Sequence, residues 1–413
     1  MNRAIMEIHF SNCTLYGKIQ YFLDSKTVPF FILDDRFCIT KMTDGDGKNV
    51  SFEKYPDRST VGKQSCYAIK EIDTKQFEIE FASVKKFKRH RSKRKSSDRY
   101  NFFEDKRIFL YDNYIRFYPY LAYPDDTERI GRHFIQCRYE PLTVYGLDGY
   151  EVLFAEKQGN SHIIQPLKSN RCLIYALRKD SCYITKCGQF RAITQKKSEY
   201  EYAQAIVRTN NEVLDWYNSN LYVDKPAHGN FQLVSLGFTH NVNAYVCDSL
   251  TVYENFQKLP KVCESYIPHE LGHIWNISDN FTAEGFLDEG GAEWSAEIYR
   301  FYHDKNSFEK HRKEYEKFSE KYWEKLCTNR KFDNTDPEIP NRHMLGFRFY
   351  NRIYREFGLD TVRRCILCYA LLNDKSLDAF LTHVQQTENE KVFIFVQNEV
   401  NDIISRFPKK KNI

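Results

Sequence analysis

The sequence predicts an α+β fold, with a β-rich N-terminal domain followed by a mostly helical region. Three observations predict it. Up to about residue 195, short apolar runs and two-residue alternation are broken by turn formers. From about Glu199 the apolar residues recur with helical period. After residue 262 nearly every segment has helical character.

In the first half, Tyr67–Ile72, Gln76–Phe81 and Cys172–Leu177 read as strands, and Asp44-Gly45-Asp46-Gly47 reads as a turn. That tetrapeptide resembles the opening of a calcium loop but lacks the later glutamate such a loop requires. Ala203, Ile206, Val207, Val213, Leu214 and Tyr217 fall on one helical face, and Phe231–Leu236 follows as a strand. The highly charged stretch 305–325 reads as a solvated helix, and 342–357, 360–371 and 376–385 each carry amphipathic spacing. The domains expected are 1–195, 196–325 and 326–413.

The 413 residues are 42% hydrophobic and 16% aromatic, enough to bury sizeable cores, so a disordered chain is excluded for most of the length. A net charge of +5 over this length does not call for a polyanionic partner. The basic run from Lys85 to Arg99 fits a solvated loop better than a nucleic-acid site, because only Phe87 and Tyr100 could stack on bases. Nucleic acid is not an expected partner. The N-terminus has no apolar leader core, no run of 18 apolar residues occurs, and the 12 cysteines form no regular framework. A reduced, cytoplasmic setting without a transmembrane segment is the expectation. Cys365 and Cys368 stand alone without a second pair and read as buried helical cysteines.

Chemistry concentrates in Ser265-Tyr266-Ile267-Pro268-His269-Glu270-Leu271-Gly272-His273. On a helix, residues four apart share a face, so His269 and His273 can present imidazole nitrogens to one zinc ion. Glu270 sits at the edge of that face, where its carboxylate reaches a water beside the ion without ligating it. Ser265 is the expected N-cap, with Pro268 in the first turn.

Catalytic zinc usually takes three protein ligands. Glu289, in Phe286-Leu287-Asp288-Glu289-Gly290-Gly291-Ala292, is the expected third, brought back by a second helix after a turn around 276–280. Glu293, one turn further, is expected to accept the second N–H of a ligating histidine. The alternatives are that Glu293 is itself the ligand or an exposed helical glutamate.

At these residues the sequence resembles the gluzincin zinc metallopeptidases, specifically the aminopeptidase N and leukotriene-hydrolase family. That family pairs H-E-x-x-H with a third-ligand glutamate in a segment like W-L-N-E-G-F-A, which 286–292 matches; the intervening stretch is three residues shorter here. The resemblance spans about 200–385 and is specific around 267–294. It implies a thermolysin-like, mostly helical zinc peptidase domain behind the β-rich one, one zinc per chain and a peptide substrate.

Two family features are replaced. The strand whose glutamate holds a substrate's amino terminus corresponds to His240–Asp248, where Asn243, Ala244 and Tyr245 take the substrate-binding positions without a glutamate. The tyrosine that stabilises the oxyanion corresponds to His343, which can donate a hydrogen bond in its stead; the plain alternative is an ordinary histidine at a helix start, with Tyr350 and Tyr354 as substitutes. The resemblance thus implies an aminopeptidase-like hydrolase with catalytic Glu270 and His343. An endopeptidase, a non-peptide amide or epoxide hydrolase, or a peptide-binding protein with a vestigial zinc site are the alternatives.

Overall fold

The computed structural model describes residues 2–11, 14–27, 30–56, 64–69, 74–84, 102–104, 106–111, 117–122, 137–167, 172–235, 244–247, 249–253, 256–257, 263–276, 285–328 and 341–406. The basic run 85–99 and Asn243 lie outside them. The chain divides into two compact units, Met1–Cys182 and Tyr183–Ile413.

The first unit is built of sheets. In Arg3–Ser11 the side chains of Ala4, Met6, Ile8 and Phe10 are buried and alternate with more exposed ones, the pattern of a strand with one face on a core. This strand pairs antiparallel with Thr14–Thr27 and parallel with Leu142–Tyr145, and together they centre an eight-stranded sheet. Two four-stranded sheets complete the described part of the unit. The turn at Asp44 forms as expected. The Asp44 carboxylate accepts from the N–H groups of Asp46 (3.0 Å) and Lys48 (2.9 Å), and Gly47 takes the left-handed φ of 79° that the turn requires.

The second unit holds a five-stranded sheet and eight described helices. Strands Phe190–Thr194, Phe231–Ser235 and Leu250–Tyr253 run parallel, with Tyr183–Cys187 and Ala244–Cys247 antiparallel at the two edges. The hairpin 183–194 joins this sheet by pairing Phe190–Thr194 with Phe231–Ser235, so it belongs with the second unit, on the far side of the boundary expected at 195.

The helix α1 (Lys197–Trp216) links two parallel strands and buries Ala203, Ile206, Val207, Val213 and Leu214, the face read from the sequence. Helices α2 (Cys263–Asn276) and α3 (Gly285–His303) carry the chemistry-bearing residues. They are followed by α4 (Lys305–Thr328), α5 (Arg342–Phe357), α6 (Leu359–Ala370), α7 (Leu377–Thr387) and α8 (Glu390–Ser405). A single apolar cluster runs from Phe190 to Ile403, so residues on either side of 326 share one core.

Two local readings change. The helix α4 is not solvated all round: Phe308, Arg312, Ser319, Trp323 and Leu326 are buried along one stripe, which the density of lysine and glutamate obscures in the sequence. The helix α2 begins at Cys263, two residues before the expected cap, so Pro268 lies inside it and cannot bond back to Glu264. The Pro268 carbonyl accepts from the Tyr217 hydroxyl at 2.9 Å.

Small residues let α2, α3 and α5 approach closely. A Cβ at Gly272 would stand 2.8 Å from Ala292 Cα, and one at Gly290 would stand 2.6 Å from Gly346 Cα. Polar bonds lock the crossing: the buried Asn276 amide donates to the Tyr222 hydroxyl (2.9 Å) and to the Gly272 carbonyl (2.8 Å), while Tyr222 and Ser295 hydroxyls meet at 2.6 Å. Among the described residues no helix is long and apolar enough to cross a membrane.

Candidate metal centre

The helices α2 and α3 pass each other in opposite senses, so His269 meets Glu293 while His273, one turn on, meets Asp288. This places Glu289 between the two rings: its Oε2 lies 3.7 Å from His269 Nε2 and 3.4 Å from His273 Nε2. Ligands bound to a tetrahedral zinc at about 2.0–2.1 Å stand about 3.4 Å apart, so these separations suit that ion. His343, in the first turn of α5, brings its Nδ1 to 3.2 Å from the same oxygen. His269, Glu289 and His343 each offer a ligand atom within 4.8 Å of the others.

Glu289 Oε2 is buried yet makes no hydrogen bond of good geometry, although three imidazole nitrogens surround it. A buried carboxylate oxygen with that environment wants a cation rather than a single donor. Two imidazoles and a carboxylate form a donor set typical of zinc. The residues therefore fit the metal.

Each histidine of the pair is gripped from behind. Glu293 Oε2 lies 2.6 Å from His269 Nδ1. Asp288 Oδ1 lies 2.8 Å from His273 Nδ1, a partner the sequence reading did not assign. The Asp288 hydrogen bond puts the proton of His273 on Nδ1 and raises the basicity of its Nε2, and the Glu293 carboxylate faces Nδ1 of His269 as an ion-pair partner. Asp288 also lies in the first turn of α3, where the helix dipole favours an ionised carboxylate.

Electrostatics follow from burial and pairing. Burial opposes charge on His269, but the Glu293 carboxylate overrides it and raises the imidazole above its ordinary value. His273 is raised further: burial again opposes, and Asp288 and Glu289 outweigh it. The two acids respond in the opposite direction; burial pushes Glu289 and Glu293 up, and the histidines, His273 for Glu289 and His269 for Glu293, pull them below the usual carboxylate range. Glu270 differs. It is 5% exposed, and burial raises its carboxyl against the pull of His269 and His273. Unlike Glu289 and Glu293, it is tuned toward accepting a proton.

The remaining sequence candidates divide. Ala244 and Tyr245 lie in the edge strand Ala244–Cys247, which pairs antiparallel with Leu250–Tyr253. Tyr350 is buried beside Cys365 and Tyr369, and the partly buried Tyr354 packs on Trp294 and Phe308. Tyr266 and Tyr315, unassigned from the sequence, stand in the field of the site's acids: burial first and then Glu270 raise Tyr266, and burial first and then Glu293 push Tyr315 up to about 12. Behind Glu293, Glu297 is buried against Arg300 and His311, whose Nδ1 lies 2.5 Å from Glu297 Oε1.

The Asp288 contact gives a prediction. Asp288→Asn should lower zinc affinity about 10–100-fold, because His273 loses its charged acceptor. Competition against a chelator measures this, and an unchanged affinity would free His273 from any dependence on Asp288.

No family model and no curated protein matches this sequence. Solved structures do match. A mutant M1 zinc metallopeptidase from Deinococcus radiodurans, bound to a Tyr-Ser-Ala substrate, is similar with a TM-score of 0.55 and 11% identity, covering 96% of this chain and 93% of that one. A native yeast LTA4 hydrolase is similar with a TM-score of 0.63 and 11% identity, covering 100% of this chain and 68% of that one. A yeast LTA4 hydrolase in complex with bestatin gives 0.56 and 13%, covering 97% and 65%. The chain thus has the fold of these proteins: a β-rich N-terminal region followed by a mostly helical one.

Proposed function

We propose that this chain is a zinc-dependent peptidase of the M1 gluzincin type, with His269, His273 and Glu289 holding the metal and Glu270 as general base. One observation carries the reading. Two imidazole Nε2 atoms face a buried, unsatisfied carboxylate oxygen, and each ring is backed by a second carboxylate. A structural carboxylate–histidine cluster has no need of three converging donors with nothing to bind.

Zinc held there would acidify a water and polarise a carbonyl oxygen. Glu270 then takes the water's proton on its carboxylate and returns it to the leaving amine. Its raised pKa suits both transfers, since the carboxylate accepts and the acid is stable long enough to donate. Glu293 and Asp288 keep the Nδ1 protons of His269 and His273 in place. His343 donates an N–H to the oxygen on which charge develops.

The substrate class is a peptide. Among the described residues Ala244–Cys247 is an edge strand, antiparallel to its neighbour, and an edge of that kind can take up an extended chain, which supports this choice. The fold's neighbours include one bound to Tyr-Ser-Ala and one to bestatin. Because that strand carries no glutamate for a free amine, cleavage away from the amino terminus is the second reading. A peptide library with free and acetylated N-termini, given to the zinc-loaded protein, tests both. Preference for free termini supports an aminopeptidase, equal cleavage an endopeptidase, and no cleavage of either by a zinc-bearing protein would overturn the proposal.

Metal uptake should depend steeply on pH. In the metal-free protein both imidazoles are raised above their ordinary value, His273 the more, so they hold protons into the neutral range. A cation must displace those protons; affinity should therefore fall as pH falls and level off only above the raised value of His273. Zinc titrations from about pH 5 to about pH 9 would read this. An affinity flat across that span would deny a histidine pair as the ligands.

A further inference from the structure

The third histidine is placed differently from the other two. His343 Nδ1 lies 3.2 Å from Glu289 Oε2, nearer than His273 Nε2 at 3.4 Å or His269 Nε2 at 3.7 Å. Its ring stands 5.5 Å from that of His269, tilted by 31°. Among the described residues, the trio whose ligand atoms all lie within 4.8 Å of one another runs through His269, Glu289 and His343. The backbone under His343 is held close to α3. Gly346 packs on Gly290, the Trp294 indole donates to the Phe347 carbonyl at 3.1 Å, and Asn341 caps α5 by accepting from the Met344 N–H at 3.2 Å.

Yet the imidazole itself is the least constrained of the three. Its side chain is 50% exposed, against 12% for His269 and 11% for His273. Glu293 and Asp288 back the other two rings, whereas among the described residues only Glu289 pairs with His343. A ligand without a backing carboxylate is more weakly basic and free to rotate.

We propose that His343 is a fourth, displaceable protein ligand, which closes the metal site at rest and leaves it when substrate enters. The proposal rests on the peptidase reading above and adds a gate to it. Four protein donors make a closed site, whereas catalysis needs one position for water or substrate. Two rings with backing carboxylates and one without divide those tasks: His269, His273 and Glu289 retain the ion, and His343 yields. The exchange moves no proton and no electron. The Nδ1 lone pair of His343 withdraws, and an oxygen lone pair of the incoming water or carbonyl takes the position. Rotation toward solvent leaves the imidazole beside the reacting carbonyl, where its N–H can serve the developing oxyanion.

X-ray absorption at the zinc edge of the full, zinc-loaded chain tests this, with acetohydroxamate as a probe that competes for the exchangeable position. The expected result is three imidazole scatterers in the parent protein, falling to two when acetohydroxamate is added. In His343→Ala two imidazoles are expected from the start, with zinc affinity lower by about 10-fold or more. Two imidazoles in the untreated parent would overturn the fourth ligand and leave the peptidase reading standing. Three imidazoles that persist with acetohydroxamate would overturn displacement. Fewer than two would sink the metal assignment itself, and this proposal with it.

Discussion

Replacing Glu270 by glutamine is expected to cut turnover by about 10²–10⁴-fold while bound zinc stays at the parental level. The side chain keeps its shape and polarity but can no longer take a proton. The metal-binding group is spared because Glu270 is not among the donors around Glu289 Oε2. Stability should move in the other direction. Burial raises the Glu270 carboxyl above its unfolded value, so the folded state prefers it neutral. Its favourable contribution is complete only below the unfolded pKa and is lost as pH rises through the folded one. At neutral pH the metal-free parent carries a penalty that the uncharged amide lacks, and the thermal midpoint of metal-free Glu270→Gln should equal or exceed the parent's. Elemental analysis, turnover on a peptide and a melting curve read the three effects separately. Full activity would remove Glu270 from the mechanism, and lost zinc would make it a structural part of the metal site instead.

How much of this site the sequence discloses depends on distance along the chain. His269 and His273 share a face because four residues make about one turn, and Glu289 and Glu293 share one for the same reason. Asp288 escapes the same logic. It precedes Glu289 by one residue and points about 100° around the helix, so nothing in the period of α3 singles it out. Only the opposed course of α2 and α3 shows that His273 lies on Asp288's side.

His343 reaches Glu289 through a helix packing that no local pattern encodes, and its position was inferred from the resemblance rather than from spacing. The helix α4 shows the converse failure. Its buried stripe at Phe308, Arg312, Ser319, Trp323 and Leu326 includes polar residues that a hydrophobic period does not register. Arg312 can be there because Glu309 and Glu316 bracket it at 3.1 Å each. In the first unit alternation or short apolar runs marked segments such as Gln76–Phe81 and Cys172–Leu177, but not which strands pair: Arg3–Ser11 pairs with Leu142–Tyr145 across most of the unit's sequence. The α+β division, by contrast, rests on local period and is the part the structure reproduces most directly.

The close crossing of α3 and α5 leads to the second large effect, from Gly346→Ala. Alanine improves a helix interior by about 0.5–1 kcal/mol over glycine, so propensity alone predicts stabilisation. Packing opposes it. The new Cβ would stand 2.5 Å from the Cα and nitrogen of Gly290 and would press on the Phe286 carbonyl oxygen. All of these are backbone atoms, so no rotamer change relieves the contact and the helices must separate. Overpacking of this kind costs about 1–3 kcal/mol, which at its middle and upper range exceeds the propensity gain.

The melting midpoint of Gly346→Ala should therefore drop by about 2–8 °C. The local consequence exceeds the global one. Gly346 follows His343 by three residues, one turn along α5, so separating the helices carries the imidazole away from Glu289 while leaving α2 against α3. Zinc should remain on His269, His273 and Glu289, and turnover should fall because the oxyanion loses its donor. A variant that melts at or above the parental temperature would show that the α3–α5 distance is set by something other than the absent methyl groups. A variant that melts lower but turns over normally would show that His343 is not needed where the close crossing puts it.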